Sequence, residues 1–326
     1  MDGRCGLLGD LPLVSIIIPT FRRPEAALEA IYTVRSQSYQ NWEVIIVDDN
    51  PPQSAAREQT RSLLSSFVND QIHYIEHDEN RGACAARNTG VKNSSGSLIA
   101  FLDDDDLWAP EKLKRQVNAL LSNNSTCICI CSVLEVYREG QRIVKFDPGA
   151  ESYRDYFLNR GSGVTCSAIV IHRAIYERVQ GFDEDLESYQ DLDLILRALA
   201  LGGACSIDEP LVTYRLADSG ISKNLCMKLN GIDRILTKFK VDFQTVGQRG
   251  QAKFLEDRAD HLFLMGSFSE AASQYFLLAK TERQKLRYQV KGVLASMRLS
   301  SAFRVVLMVK SSLIKRIDYL SAVNKF

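Results

Sequence analysis

The sequence has no excess of charge of either sign, because its 326 residues include 40 Lys and Arg and 40 Asp and Glu. This balance excludes a wholly basic nucleic-acid binder and an acidic disordered chain, and we expect no nucleic-acid partner. No run of roughly 18 uncharged apolar residues occurs, so no segment is expected to span a bilayer. Asp10 and Pro12 interrupt the first apolar run, which argues against a signal peptide. We therefore expect a cytoplasmic protein.

Paired cysteines are also missing, because the eight cysteines are scattered and include no CxxC pair. Cys127, Cys129 and Cys131 alternate with isoleucines, a spacing that places all three thiols on one face of a strand. We interpret them as small buried thiols of a core strand and keep thiolate metal binding as the less favoured alternative. A content of 45% hydrophobic and 25% charged residues is ordinary for a globular protein.

Short β-branched apolar runs alternate with helical patterns over roughly the first hundred residues. The predicted elements are strands at 13–18, 43–48, from Ile72 and from Ser97, and helices at 24–38 and 83–91. This alternation predicts an α/β fold with a doubly wound, mostly parallel sheet flanked by helices, and ligands at the carboxyl ends of its strands. Strand signals stop near residue 221, so we predict two domains, 1–220 and 221–326, the second an α-helical C-terminal extension.

Four consecutive aspartates, Asp103 to Asp106, follow the apolar run of the fourth predicted strand. Adjacent carboxylates repel one another, so a fold keeps them where cations or hydrogen-bond donors compensate. Mg²⁺ or Mn²⁺ takes one or two carboxylates and accepts its other ligands from water and a diphosphate. The position after a buried strand favours such a metal site over a solvated acidic loop.

A second acidic pair, Asp48 and Asp49, ends the second predicted strand. One member of such a pair commonly turns the following loop, here toward Pro51 and Pro52. Alternatively, the pair and the later aspartates line a nucleotide-sized crevice, in which Asp49 would accept hydrogen bonds from a base or a ribose. Both interpretations stay open on the residues alone.

Five strings occur in one order along the chain: VSIIIPTFRRP, QNWEVIIVDDN, NRGACAARNTG, FLDDDDLWAPEKL and GFDEDLESYQDLDLILRAL. Together they resemble the family 2 glycosyltransferases of the GT-A fold, over roughly residues 13 to 215. The resemblance implies an inverting transfer of a sugar from a nucleotide-diphosphate sugar to an acceptor hydroxyl. It favours a UDP sugar as the donor and implies Mn²⁺ or Mg²⁺ as the cofactor.

The resemblance also implies roles for individual residues. Those implied to bind the nucleotide sugar are Pro19, Thr20, Phe21, Arg23, Asp49, Arg87, Asp103 and Asp104. Asp104 would contact the ribose, Asp105 would bind the metal, and Asp103 is a second candidate metal ligand. Asp191 matches the catalytic base, with Gln190 where glutamate is commoner. For Asp191 the alternative is an acid that stabilises a helix N-terminus. For Arg87 the alternative is a surface arginine that caps a helix.

Two features depart from the family pattern. The family often places a histidine near YR to complete the metal site, whereas Leu216, Ala217 and Asp218 follow Tyr214 and Arg215 here. Asp218 could take the place of that histidine. No QxxRW string occurs, which argues against a processive polymer synthase and favours single additions.

Two other functions remain open. A sugar nucleotidyltransferase also pairs an α/β fold with acidic metal sites, but it usually carries a Gly-rich loop after the first strand, and PTFRRP has no glycine. A nucleotide-sugar or glycan-binding module without catalysis would agree with Gln190 and with the missing histidine. The presence of Asp105 and Asp191 speaks against it.

The C-terminal extension is basic, with eleven Lys or Arg and two acidic residues from Lys280 to the end. Residues 297–315 interleave basic and apolar side chains, which predicts either a helix lying on the anionic inner face of the membrane or a helix packed on the protein or a second subunit. Membrane contact would suit a lipid-linked acceptor. We expect a glycan or lipid-linked acceptor in the synthesis of cell-surface polysaccharide or glycoconjugate, and the oligomeric state stays open.

Overall fold

The computed structural model describes residues 11–123, 125–137, 140–160, 164–215, 224–246, 248–281 and 285–297. Within this part, residues 11–157 and 164–215 form one compact unit, and residues 158–160 and 224–297 form a second, each with the gaps given above. The predicted domain boundary at 220/221 lies outside the described residues. Among the described helices, none has the length and apolar character that a membrane span requires.

The described residues form nine strands that belong to one sheet. Their bounds are β1 Val14–Thr20, β2 Trp42–Asp48, β3 Ile72–Glu76, β4 Leu98–Phe101, β5 Asp106–Trp108, β6 Thr126–Tyr137, β7 Gly140–Val144, β8 Ile169–His172 and β9 Gly203–Arg215. The strand order is β3-β2-β1-β4-β8-β6-β9-β5, and β7 pairs with β6. The portion β3-β2-β1-β4 is parallel throughout, and beyond β4 parallel and antiparallel pairs are mixed. The predicted α/β sheet is confirmed.

Helices connect the strands in the predicted alternation. Up to residue 198 they are α1 Pro24–Arg35, α2 Ala55–Leu64, α3 Gly82–Lys92, α4 Lys112–Leu121, α5 Tyr153–Arg160, α6 Arg173–Arg178 and α7 Gln190–Ala198. All seven residues of β1 are buried, as expected for a central parallel strand covered on both faces. Gly90 allows α3 to pack closely on β1, because a Cβ at this position would meet Ile17 Cγ2 at 2.4 Å.

The sheet curls between β4 and β5. These strands are separated in the chain by residues 102–105 only, yet they stand four places apart in the strand order. Five residue steps reach at most about 17 Å, whereas four strand spacings in a flat sheet add up to about 19 Å. The loop also contains a turn, in which the Asp106 N–H donates to the Asp103 carbonyl at 3.0 Å. The acidic segment can therefore bridge the sheet only because the sheet curls.

The second unit is helical, as predicted for the C-terminal extension. Its helices are α8 Leu225–Lys238, α9 Lys240–Val246, α10 Gln248–Leu264, α11 Phe268–Thr281 and α12 Lys285–Ser296. Ala259, Phe263 and Tyr275 belong to its apolar core. Lys291 is buried beside that core, where its Nζ donates to Glu256 at 2.8 Å and to Asp260 at 2.7 Å. The basic segment predicted to contact a membrane lies almost wholly outside the described residues.

Candidate active site

The end of β1 supplies the first group of predicted site residues. Pro19 is buried and lies opposite Val47 of β2 in the parallel ladder. Thr20 is also buried, and its carbonyl accepts a hydrogen bond from the Asp49 N–H at 3.0 Å. Phe21 directly follows the last residue of β1 and is 36% exposed. Parallel pairing of β1 and β2 therefore places Asp49 beside the loop that follows β1.

Asp104 connects the loop after β1 to the acidic loop after β4. One carboxylate oxygen accepts from the Thr20 hydroxyl at 3.0 Å and from the Phe21 N–H at 3.4 Å. The other oxygen accepts from Arg23 Nη1 at 3.2 Å. Burial, and then the neighbouring charge of Asp105, raise the pKa of Asp104 to about 7. Its oxygens are engaged within the protein, and the predicted ribose contact stays a prediction.

Asp105 is more open to solvent, with 26% of its side chain exposed. Arg23 donates to its carboxylate, so one guanidinium contacts both Asp104 and Asp105. Burial and the charge of Asp103 raise the pKa of Asp105, although Arg23 opposes them. The Asp105 carbonyl accepts from Arg215 Nε of β9 at 2.9 Å, which fixes the backbone of the acidic loop.

Asp103 is paired with Arg87 of α3. Arg87 Nη2 donates to the Asp103 carboxylate at 2.5 Å, and the guanidinium lies 5.2 Å from the centre of the Phe182 ring. Arg87 is 4% exposed, so the alternative of a surface arginine is wrong. Within the described part of the chain, its Nε and Nη1 have no hydrogen-bond partner. Burial disfavours its charge, but the charge and hydrogen bond of Asp103, together with Cys166 and Cys84, raise the pKa of Arg87 overall.

Asp191 lies in the first turn of α7 and is partly buried. One carboxylate oxygen accepts from the Leu192 N–H at 2.7 Å. Burial raises the pKa of Asp191 to about 6, while that N–H and the charge of Arg87 lower it and the charge of Asp103 raises it. The carboxylate is thus less acidic than that of an ordinary aspartate. It shares one electrostatic environment with Arg87 and Asp103.

Asp193, the other acid of this turn, has a different role. Its side chain is fully buried and accepts from Arg197 Nε at 2.8 Å. Arg197 Nη1 also donates to the Gly181 carbonyl at 2.8 Å, which joins α7 to the preceding loop. Tyr189, immediately before α7, has a left-handed backbone with φ +65°. Asp193 therefore anchors the helix, and Asp191 is the acid of the pair whose carboxylate is more accessible.

Asp49 joins the end of β2 to the start of α3. Its Oδ1 lies 2.7 Å from His77 Nδ1 and accepts from the Arg81 N–H at 2.9 Å, and its Oδ2 accepts from the Gly82 N–H at 2.8 Å. The His77 Nε2 lies 2.9 Å from the Thr89 hydroxyl of the same helix. A carboxylate has about four acceptor sites, and these contacts use three of them within the described residues. The predicted base contact is compatible with this arrangement and stays a prediction.

An open cavity of about 380 Å³ borders this region and is lined by Glu76, His77, Asp78, Glu79 and Arg81. Its size is in the range of small-molecule sites. It lies at the carboxyl end of β3, where ligands bind in open α/β sheets. Another cavity of about 340 Å³, which includes Trp42 and Ile72, lies at the opposite end of β2 and β3. We therefore associate the first cavity with the candidate site.

Residues 15–179 match the family model described as Glycosyl transferase family 2. The chain belongs to this family. The resemblance drawn from the five strings is thereby confirmed, and membership argues against the sugar nucleotidyltransferase alternative.

Two sequence relatives from bacteria are each 31% identical to the chain over 218 residues. TuaG of Bacillus subtilis, a candidate teichuronic acid biosynthesis glycosyltransferase, is covered over 82% of its length and matches 65% of this chain. WfgD of Escherichia coli, a UDP-Glc:alpha-D-GlcNAc-diphosphoundecaprenol beta-1,3-glucosyltransferase, is covered over 80% of its length and matches the same share of this chain, 65%.

A solved structure resembles the fold. It is the mannosyltransferase PcManGT from Pyrobaculum calidifontis in complex with GDP-Man and Mn²⁺, with a TM-score of 0.58 at 17% identity. The alignment covers 93% of this chain and 85% of that one. The GT-A fold expected from the five strings is confirmed.

Some residues that shape this family 2 site were missed by sequence reasoning. Arg57 of α2 is buried, and its Nη2 donates to the carbonyls of Asp48 at 3.3 Å, His77 at 2.6 Å and Asn50. It thereby ties the ends of β2 and β3 together. No spacing in the sequence distinguishes Arg57 from the exposed arginine of the same helix, Arg61.

Asn88, next to Arg87 in the ARN string, was also missed. Its side-chain oxygen accepts from the Phe182 N–H at 2.9 Å and from the Tyr176 hydroxyl at 2.6 Å, and its amide donates to the Phe182 carbonyl at 3.0 Å. These bonds hold the GFDED segment against α3. The signal for Asn88 is its place in the ARN string, directly after the predicted site residue Arg87.

The donor atoms at this site suit a hard divalent cation. Asp103 and Asp105 offer carboxylate oxygens, with 24% and 26% of their side chains exposed. Among the described residues, no cluster of three or more His, Cys, Asp and Glu is placed to hold a metal alone. A cation that shares its coordination with diphosphate and water needs only one or two carboxylates. Asp103 and Asp105 fit such a shared site, and Asp218 lies outside the described residues.

Proposed function

We propose that this family 2 glycosyltransferase moves a sugar from a nucleotide-diphosphate sugar, with UDP favoured, to an acceptor hydroxyl with inversion at the anomeric carbon. The observation that carries the proposal is the convergence of Asp103, Arg87 and Asp191 beyond the carboxyl ends of the strands. Arg87 pairs with Asp103 of the acidic loop, and its charge also lowers the pKa of Asp191. This arrangement supports a diphosphate and a general base within one site.

The diphosphate leaving group would be bound by cations. Asp105, with Asp103 as a second ligand, would hold Mn²⁺ or Mg²⁺, which when bound neutralises the charge that develops on the diphosphate. Arg87 offers two buried nitrogens without partners in the described structure. Charge-assisted hydrogen bonds from such nitrogens to phosphate oxygens are short and strong. Arg87 would therefore orient the diphosphate.

Asp191 would act as the general base. As the acceptor oxygen forms a bond to the anomeric carbon, the bond from that carbon to the diphosphate oxygen breaks, and the acceptor proton passes to the carboxylate. A pKa of about 6 leaves Asp191 ionised in most molecules at pH 7 and closer to the operating pH than an ordinary aspartate. The accessible position of its side chain, compared with buried Asp193, supports this assignment.

The donor and acceptor are proposed from the relatives. WfgD is named for UDP-Glc and a diphosphoundecaprenol-linked acceptor, and TuaG for teichuronic acid synthesis. We therefore place this protein in cell-surface polysaccharide or glycoconjugate synthesis, with a glycan or lipid-linked acceptor. Peripheral contact with the inner face of the membrane, through the basic segment that follows α12, would bring the site to such an acceptor.

Calorimetric titration tests the donor site directly. The protein would be titrated with UDP, GDP and dTDP, each with and without Mn²⁺, and the series repeated with Asp105→Asn. We expect Mn²⁺-dependent binding of UDP that the substitution weakens at least about tenfold, because a carboxylate ligand is lost. Asp70→Asn, an exposed aspartate before β3, is the matched control and should bind as the unchanged protein does. A folded protein that binds none of the three nucleotides would refute the proposal.

A further inference from the structure

Arg23 occupies the carboxylates that are proposed to face the metal. Its Nη1 lies 3.2 Å from Asp104 Oδ1 and also contacts Asp105. About a third of the Arg23 side chain, 36%, is exposed, so the guanidinium has open space beside it. A guanidinium and a divalent cation repel each other, and they cannot both approach Asp105 closely. Arg23 must therefore leave Asp105 before a metal ion can bind there.

Two arginines compensate part of the charge of the acidic loop even without ligands. Asp103 is paired with Arg87, while Asp104 and Asp105 share Arg23. Asp106 is fully buried and accepts from the Thr165 hydroxyl at 3.2 Å. A cation that arrives alone therefore replaces an existing ion pair and leaves Arg23 next to a divalent charge. The competition with Arg23 reduces the electrostatic energy that the cation gains.

The outcome differs when a nucleotide diphosphate arrives with the metal. The diphosphate gives Arg23 a new anionic partner, and arginine binds phosphate oxygens with two parallel hydrogen bonds. On the basis of the proposed function, we infer that Arg23 couples metal binding to nucleotide binding. It holds Asp105 in the free protein and moves to the diphosphate when both ligands enter. By linkage, the nucleotide then strengthens metal binding by the same factor as the metal strengthens nucleotide binding.

Arg22 provides a matched control for this role. It is exposed, and its guanidinium lies 4.8 Å from the centre of the Phe21 ring. Its backbone N–H donates to the Asn50 side chain at 2.8 Å, a contact that a side-chain substitution leaves in place. Arg22→Gln and Arg23→Gln thus remove the same charge from neighbouring positions, and only the second position contacts the acidic loop.

The experiment measures Mn²⁺ binding by electron paramagnetic resonance of the free ion, with Mn²⁺ alone and with saturating UDP or GDP. With Arg23→Gln we expect Mn²⁺ alone to bind about twofold to fivefold more tightly, the scale for removing one partly exposed ion pair. The factor by which the nucleotide strengthens Mn²⁺ binding should shrink by about tenfold, the scale set by the phosphate contact that is lost. Arg22→Gln should match the unchanged protein, and Arg23→Lys should keep part of the coupling.

Unchanged binding of Mn²⁺ alone by Arg23→Gln, or an unchanged strengthening by nucleotide, would overturn the coupling while the donor site stands. If the unchanged protein binds no Mn²⁺ with or without nucleotide, the metal-dependent donor site fails and the coupling fails with it. Circular dichroism and thermal melting of every variant establish that each is folded. The two failures are thereby distinguished.

Discussion

Replacing Asp191 by asparagine removes the proposed base with little change in shape. General-base catalysis contributes about 10²–10⁴-fold to a rate, or about 3–5 kcal/mol, so transfer should fall by that factor. Donor binding should be largely retained, because the described hydrogen bond of Asp191 is to the Leu192 N–H of its own helix. A binding module without catalysis would have no activity to lose.

The pKa of Asp191 adds a more specific signature. Because burial raises it to about 6, and the ionised form is the base, activity should fall as the pH drops through about 6. About nine-tenths of the carboxylates are ionised at pH 7 and about one-tenth at pH 5, a roughly tenfold loss. An aspartate of ordinary acidity would lose less than about a tenth of its charge over the same range.

Folded-state stability does not produce the same loss. The pKa of Asp191 is higher in the folded protein than in the unfolded chain, so between these two values the folded state binds more protons. The stabilisation from this group is therefore complete at low pH and decreases as the pH rises toward about 6. A loss of activity at pH 5 is thus opposite in sign to any effect of this carboxyl on folding.

The assay follows UDP release from UDP-glucose, with water in place of the acceptor, between pH 5 and pH 8. The unchanged protein, Asp191→Asn and Glu187→Gln are compared, since Glu187 is an exposed carboxylate shortly before α7. Glu187→Gln should keep both the rate and the decrease in activity below about pH 6. The assignment of the base would be refuted if the same decrease remained in the residual activity of Asp191→Asn, or if the activity of the unchanged protein did not depend on pH.

Two further predictions concern the framework of the site. Arg57→Leu should lower the free energy of unfolding in urea by about 2–4 kcal/mol, because three backbone carbonyls lose a buried charged donor. Exposed Arg61→Leu should cost much less than Arg57→Leu, because an exposed ion pair contributes little, and equal costs would contradict the argument. Gly90→Ala should cost about 1–3 kcal/mol, because its Cβ would meet Ile17 Cγ2 at 2.4 Å. Among the described residues, the Cβ of Gly203→Ala would meet only the Ser125 carbonyl, at 3.5 Å, and an equally large cost there would show that packing is not the cause.

The parallel half of the sheet was predictable because its signals are local. Buried parallel strands are rich in β-branched apolar residues, and β1 contains the run III and β2 the run VIIV. Strand ends could be recognised from the aspartates that follow, which placed Asp49 and Asp105 on the same side of the sheet. Asp48 shows the limit of such reasoning, because its carboxylate accepts from the Asn50 N–H at 2.8 Å and turns the loop. The turn interpretation applies to Asp48.

Long-range pairing was beyond the reach of these local signals. Arg23 and Asp105 are both recognisable as site residues, but nothing in the sequence indicates that they contact each other. Nor does any pattern in the sequence show that Arg215 of β9 donates a hydrogen bond to the backbone of the acidic loop. Such contacts depend on where the sheet curls, which is set by the packing of many residues together.

The curl of the sheet also determines at which stage of folding the site forms. Asp106 of β5 pairs with Tyr214 of β9, a contact that closes a loop of about 108 residues. Contacts between residues so distant in sequence form slowly, because the entropy of closing the intervening chain is lost first. A partly folded or incompletely synthesised chain therefore carries the same aspartates without the enclosure that arranges them. Any ligand of the acidic loop selects the finished fold and stabilises it by mass action, so the capacity to bind is itself a sign that folding is complete.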